Sequence, residues 1–111
     1  MRPFEDDVRW ELSWLLRAGV PDRTLRLTVR ELVVTRMERG PLGGREVSEA
    51  VEAAVRAACR LIRELDAPEE LADLVCLAAL DAVRGHGGQT ARWLDDATRT
   101  AASVINEEAR R

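Results

Sequence analysis

Few side chains in this 111-residue sequence could carry out catalysis, and their spacing does not suit it. The sequence contains one histidine, His86, and two cysteines, Cys59 and Cys76, so this chain alone supplies neither a two-histidine metal site nor a zinc pattern. Cys76 and His86 are about 15 Å apart if the residues between them are helical, which is too far for a nucleophile and its base. The sequence therefore disfavours an enzyme and predicts no metal ion or other cofactor.

The acidic residues also argue against acid–base catalysis. Several occur as neighbouring pairs, which are Asp6-Asp7, Glu69-Glu70, Asp95-Asp96 and Glu107-Glu108. Because consecutive residues on a helix diverge by about 100°, the two carboxylates of a pair cannot act together on one substrate. Such pairs are typical of solvent-facing helix surfaces, and we expect them to lie there.

The segment 84–90, between two predicted helices, is the best candidate for a small-ligand site. Its glycines allow backbone N–H groups to converge, and the helix that follows presents its positive end. A phosphate or carboxylate could therefore bind to Arg84, His86, Gly87, Gly88 and Thr90. The competing interpretation is an ordinary helix end followed by a capped helix start, which the lack of a P-loop motif favours.

Two tryptophans make the first helix unusual. Trp10 and Trp14 are one turn apart, on the side of residues 3–17 opposite the apolar stripe. Two exposed indoles would form an apolar patch of the kind that marks an interaction site. Arg17 is placed to cover Trp14 through a cation–π contact. The alternative is that another helix of the same chain, for instance the last one, covers both rings.

Residues 22–39 carry two apolar stripes if they are helical. The first predicts the core contacts of this helix and consists of Leu25, Val29, Leu32 and Val33. The second consists of Leu27 and Val34, seven residues apart, with Met37. A helix that is apolar on two sides in a small domain often binds a second subunit. We therefore expect Leu27 and Val34 to extend the interface of the tryptophans.

The same segment has a competing interpretation as a strand, because apolar residues alternate with Arg26, Thr28 and Arg30 over residues 24–30. With the short helix, glycine loop and second helix that would follow, it loosely resembles a ribbon-helix-helix repressor. In that family a two-chain ribbon enters the DNA major groove, so the resemblance implies that Arg26, Thr28 and Arg30 contact bases. It covers about a third of the chain and rests on no fixed motif. The length of the apolar pattern favours the helix.

The sequence predicts helices over residues 3–17, 22–39, 45–65, 67–84 and 90–109. The stretch from Leu71 to Val83 has two charged residues, Asp73 and Asp81, and no glycine or proline. A helix that is apolar nearly all round is surrounded by other helices, and these 13 residues fall short of the roughly 20 that span a bilayer. We therefore expect an all-α bundle of about five helices around a central apolar helix (67–84), forming one domain over residues 1–111.

Composition narrows the range of partners. All 17 basic residues are arginine, and the net charge of −3 gives no general attraction to nucleic acid.

Fifteen of the 16 alanines follow residue 49, so the last three helices can pack closely. The start of the chain lacks the apolar run of a signal peptide, and the cysteines fall inside helices as reduced core residues.

Together these features predict a cytoplasmic, non-catalytic interaction or regulatory module that forms a homodimer. No membrane contact is expected, and nucleic acid is disfavoured. The two alternatives are a ribbon-helix-helix DNA-binding regulator and an anion-binding helical sensor.

Overall fold

The computed structural model describes residues 3–39, 43–85 and 90–110, with only the backbone for residues 90 and 91. These residues form five helices and no strand. The helices are α1 (Phe4–Ala18), α2 (Asp22–Glu38), α3 (Gly44–Leu65), α4 (Glu70–Arg84) and α5 (Thr90–Ala109). The predicted all-α bundle of five helices is confirmed, and each helix begins and ends within a turn of its expected position.

The strand interpretation of residues 24–30 is wrong. α2 is unbroken from Asp22 to Glu38, and the Thr28 hydroxyl donates a 2.8 Å hydrogen bond to the Thr24 carbonyl one helical turn earlier. The helix prevails because it buries a stripe with four-residue spacing, made of Leu25, Val29, Val33 and Met37. Burial of this stripe outweighs the local strand preference of a seven-residue alternation.

One layer of the molecule consists of α1, α3 and α5. Arg60 donates to Glu5 at 3.2 Å, and Arg9 forms an ion pair with Glu64. Both pairs join residues 55 positions apart, so α1 and α3 run in the same direction. Contacts between the start of α3 and the start of α5, and between their later turns, show that these two helices are also parallel.

The second layer consists of α2 and α4. Arg26 donates to Asp81 at 2.6 Å, and the Arg30 guanidinium lies beside Gly85. Since both contacts join residues 55 positions apart, α2 and α4 are parallel as well. The chain therefore alternates between the layers, and each new helical hairpin stacks on the one before it.

α3 occupies the most central position, because it contacts all four other helices. α4, the helix expected at the centre, contacts α2, α3 and α5, and its Leu77 is 53% exposed. The difference arises because α3 is the middle helix of a three-helix layer, whereas α4 is in the two-helix layer with one side open. None of the described helices combines the length and the apolar character needed to cross a membrane.

Small residues allow α3, α4 and α5 to pack closely, as their alanine content predicts. Gly44 has the Trp93 indole against it, and a Cβ at this position would be 3.3 Å from the ring. The other small residues in the core of these three helices are Ala50, Ala54, Ala57, Ala58, Ala78, Ala79, Ala82, Ala97 and Ala101.

Candidate functional site

The outer side of α1 exposes both tryptophans of that helix. Trp10 is 56% exposed and Trp14 is 58% exposed, while Val8 and Leu12 on the opposite side are buried. The two indoles contact each other edge to face, with ring centroids 6.0 Å apart and an interplanar angle of 75°, a geometry that aromatic pairs prefer. The last helix does not cover them, because α5 packs on α3 and α4 and not on α1.

A groove with a volume of about 1150 Å³ separates α1 from α2 beside Trp10. We call it the α1–α2 groove. Its lining is Pro3, Phe4, Asp7, Trp10, Glu11, Thr28, Glu31, Leu32, Thr35, Arg36 and Arg39. Because the two helices form an antiparallel hairpin, Glu11 and Glu31 lie toward the connecting turn, whereas Arg36 and Arg39 lie toward the other end. The groove is therefore acidic at the end near the turn and net basic at the other end, where Asp7 accompanies the two arginines.

On its other side, Trp10 borders a smaller depression between α1 and α3. Arg17 lines this depression, together with the Arg9–Glu64 ion pair and Leu65, which is 37% exposed. The expected cation–π contact between Arg17 and Trp14 is absent, although the structure describes both side chains. Arg17 instead contributes to the charged rim around Trp10.

The structure does not bring the second stripe of α2 next to the tryptophans. Leu27 is 49% exposed, Val34 packs partly against the core, and Met37 is buried. The α2 side chains that line the groove include Thr28 and Thr35, each one position after a stripe residue. One position is a rotation of about 100° on a helix, so Leu27 and Val34 point away from the groove.

The candidate anion-binding loop is described only at its first residue. Arg84 is exposed and donates to Asp81 at 3.4 Å, and Asp81 also accepts a hydrogen bond from Arg26. His86, Gly87, Gly88 and the side chain of Thr90 lie outside the described residues. This site stays a prediction.

The three residues proposed to contact DNA do not form a row on the helix. Arg26 is paired with Asp81 on α4, and Arg30 lies beside Gly85 on the same helix. Thr28 faces the groove with α1 instead. The helix therefore does not present Arg26, Thr28 and Arg30 on one side, as a strand would have done.

One carboxylate of α5 is buried, although its place in the sequence predicts exposure. Glu108 was expected on a solvent-facing surface, but the residue is 3% exposed. It accepts hydrogen bonds at 3.0 Å from Arg60 and at 3.0 Å from Arg63, and lies 3.4 Å from Arg56. The prediction failed because α5 packs parallel to α3, so that the last turn of α5 lies over Arg56, Arg60 and Arg63 of α3. The sequence pattern of one helix does not show which side of a neighbouring helix it packs against.

This arginine–glutamate cluster connects three helices. Glu5 of α1 joins it through Arg60, while Glu52 and Glu107 accept hydrogen bonds from Arg56. Hydrogen bonding to Glu107 raises the pKa of Arg56, with burial acting in the opposite direction. Because acids of the chain already occupy these guanidinium groups, the cluster is a structural link between α1, α3 and α5.

The remaining reactive groups offer little chemistry. Cys59 and Cys76 are free and half-buried, and burial raises the pKa of both thiols, which disfavours the nucleophilic thiolate. Within the described ranges, no group of three His, Cys, Asp or Glu side chains could hold a metal ion. Comparison with models of protein families, with curated proteins and with solved structures gives no match to this chain.

Proposed function

We propose that this protein is a non-catalytic interaction module that assembles as a homodimer through the outer side of α1 and the adjoining α1–α2 groove. One observation carries the proposal: Trp10 and Trp14 are each more than half exposed, side by side on one helix. Tryptophan is the residue type most enriched at the energetic centres of protein interfaces. A pair exposed beside a groove is a surface that gains free energy from being covered.

A second copy of the chain suits this surface by charge. A two-fold symmetric contact requires a patch that complements itself. The groove meets this requirement, since a copy turned end for end would place its Arg36 and Arg39 against Glu11 and Glu31 of the first copy. Charges of both signs also surround Trp10 on the α3 side, where Arg17 lies beside the Arg9–Glu64 pair. Electrostatic complementarity of this kind sets the register of an interface.

The position of the hairpin in the stack supports the same partner. Among the described helices, only α3 and α4 pack on the α1–α2 hairpin, so the side away from them has no neighbouring helix. A side that exposes large apolar residues and has no neighbouring helix is suited to binding a partner. We further propose a cytoplasmic location, because half-buried free thiols suit a compartment that keeps cysteines reduced.

The proposal is tested by measuring molar mass with light scattering over a range of concentrations. We expect wild type at twice the 12.4 kDa chain mass and the Trp10→Ala/Trp14→Ala variant as a folded monomer. Two truncated hot-spot residues per subunit should weaken the dimer by at least about 100-fold. Circular dichroism checks that the helices of the variant are retained.

Leu77→Ala is the matched control, since Leu77 is also about half exposed but lies on α4. It should leave the dimer unchanged. A wild type that is monomeric at every concentration overturns the proposal. A dimer that survives loss of both tryptophans but dissociates in Leu27→Ala would place the interface on the other side of α2.

A further inference from the structure

A second concave region lies between the first turns of α3 and α5, away from the α1–α2 groove. It has a volume of about 620 Å³ and is lined by Arg45 and Ser48 from α3 and by Arg92, Trp93, Asp96 and Arg99 from α5. Arg92 and Arg99 are seven residues apart, hence two turns along the same side of α5. Three guanidinium groups therefore line one depression that contains a single carboxylate, although the chain as a whole carries a net charge of −3. We call it the arginine depression.

The arginines of this depression are poorly neutralised compared with others in the protein. Among the described residues, neither Arg92 nor Arg99 forms an ion pair, whereas Arg26, for example, has a carboxylate partner on a neighbouring helix. Arg45 pairs with Glu49 one turn away at 3.0 Å, but the two side chains are 87% and 58% exposed. Such an exposed pair contributes little, and the depression keeps an excess of positive charge.

The parallel packing of α3 and α5 increases this excess. Both helices begin at this depression, so the positive ends of two helix dipoles lie side by side, with Arg45 and Arg92 in their first turns. At α3 the terminus is partly compensated by Glu46, whose carboxylate is so close to Gly43 that a Cβ there would be 2.6 Å from it. The first turn of α5 contains no acidic residue. A bound anion would relieve the repulsion that remains.

We propose that the arginine depression binds the phosphate group of a small molecule. Guanidinium groups match phosphate oxygens in pairs of parallel hydrogen bonds, which is why arginine is favoured for this recognition. Arg92 and Arg99 would hold the phosphate from α5, Arg45 would approach from α3, and the Ser48 hydroxyl could donate one further hydrogen bond. The depression is open to solvent, and its volume of about 620 Å³ leaves room for a group larger than phosphate alone. This site is independent of the proposed dimer interface and uses no residue of the loop 86–89.

Isothermal titration calorimetry with inorganic phosphate and with adenosine monophosphate, at constant ionic strength, tests the proposal. We expect saturable binding, with an affinity that falls at least tenfold in Arg92→Gln/Arg99→Gln. Arg23→Gln/Arg110→Gln removes the same charge from two exposed positions elsewhere and should bind like wild type. Asp96→Asn removes the competing carboxylate and should bind more tightly. Equal affinity for the two probes identifies the free ion as the ligand, and tighter binding of the monophosphate identifies an organic ester.

Trp93 provides a local signal that separates this site from others. The chain has three tryptophans, so Trp93 is the only one left in a Trp10→Phe/Trp14→Phe background. Its fluorescence should change on phosphate binding with the same midpoint as the calorimetric titration. Absence of binding up to about 10 mM of either probe, or equal binding by the Arg92/Arg99 and control variants, overturns the proposal. So does binding that is lost only in Arg84→Gln, which would locate the anion at the loop after α4.

Discussion

At the scale of single residues, Glu108 shows how this arginine-rich chain uses its charges. A carboxylate exposed by only 3% would be strongly unfavourable alone. It is accommodated because Arg60 and Arg63 each donate to it at 3.0 Å, with Arg56 close by. It is in turn the one carboxylate that all three arginines share, whereas Glu5 and Glu107 each accept from a single arginine of the row. The cluster therefore depends on its one buried member.

Removing that member gives the first stability prediction. Glu108→Ala should lower the free energy of unfolding by about 1.5–3 kcal/mol, because it removes the charge-assisted hydrogen bonds from Arg60 and Arg63 while Arg60 keeps Glu5. The control is Glu64→Ala, which removes a carboxylate from the exposed Arg9 pair and should cost less than about 1 kcal/mol. Urea denaturation followed by circular dichroism measures both. Equal losses in the two variants would contradict the central role given to Glu108.

At the scale of elements, two helices end in the same left-handed conformation with different residues. The residue after the last helical position is Gly19 in α1, with φ of 68°, and Asp66 in α3, with φ of 52°. This conformation is strained for a residue with a Cβ and easy for glycine. The left-handed conformation of Asp66 allows the N–H of Ala67 to donate a 2.9 Å hydrogen bond to the Ile62 carbonyl at the end of α3. This hydrogen bond offsets the strain at Asp66.

Substitutions at these two helix ends should change the stability of the protein in opposite directions. Gly19→Ala should destabilise the protein by about 1 kcal/mol. The cost comes from the backbone alone, because a Cβ at Gly19 would have no atom within 4 Å. Asp66→Gly should stabilise it by up to about 1 kcal/mol through relief of the same strain. Urea denaturation midpoints of the two variants check both signs, and a neutral Gly19→Ala would show that strain is negligible at these ends.

The helices themselves could be predicted from the sequence, because each buries a stripe that its own residues define. That Trp10 faces away from the α1 stripe was predictable on the same grounds, but whether another helix of the chain covers it was left open by the sequence. What could not be predicted is how stripes on different helices meet. Glu108 is buried and Leu27 lies away from the α1–α2 groove because of how α5 docks on α3 and α2 docks on α1. Such docking depends on contacts between residues far apart in the chain, which no local pattern encodes.

At the scale of the whole molecule, the two-layer arrangement explains where the uncovered surfaces lie. Among the described helices, α3 and α4 cover one side of the α1–α2 hairpin and α5 covers the far side of α3 and α4, so two edges of the stack have no neighbouring helix. The α1–α2 hairpin is at one such edge, and it carries Trp10, Trp14 and the groove. Parallel packing within the first layer likewise places the starts of α3 and α5 together and creates the arginine depression. Both proposed sites therefore follow from the stacking order.

The end-for-end dimer makes one further prediction that depends on symmetry rather than on apolar area. In Glu11→Arg/Glu31→Arg the groove keeps one acidic lining residue, Asp7, and becomes net basic, whereas in Arg36→Glu/Arg39→Glu all of its charged lining residues are acidic. Each variant places like charges opposite each other across the two-fold axis, so each should dimerise at least about tenfold more weakly than wild type. An equal mixture of the two should regain a dimer, because the basic groove of one chain then meets the acidic groove of the other.

Light scattering on each charge variant and on their mixture measures this directly, and the recovery should weaken as salt is added, since exposed charges are screened. Two variants that dimerise as well as wild type would show that the groove charges do not contact the partner. A mixture that stays monomeric would be incompatible with an end-for-end arrangement even if the tryptophans prove essential. Recovery of the dimer in the mixture is expected only if the groove of one chain contacts the groove of a second chain in the opposite direction.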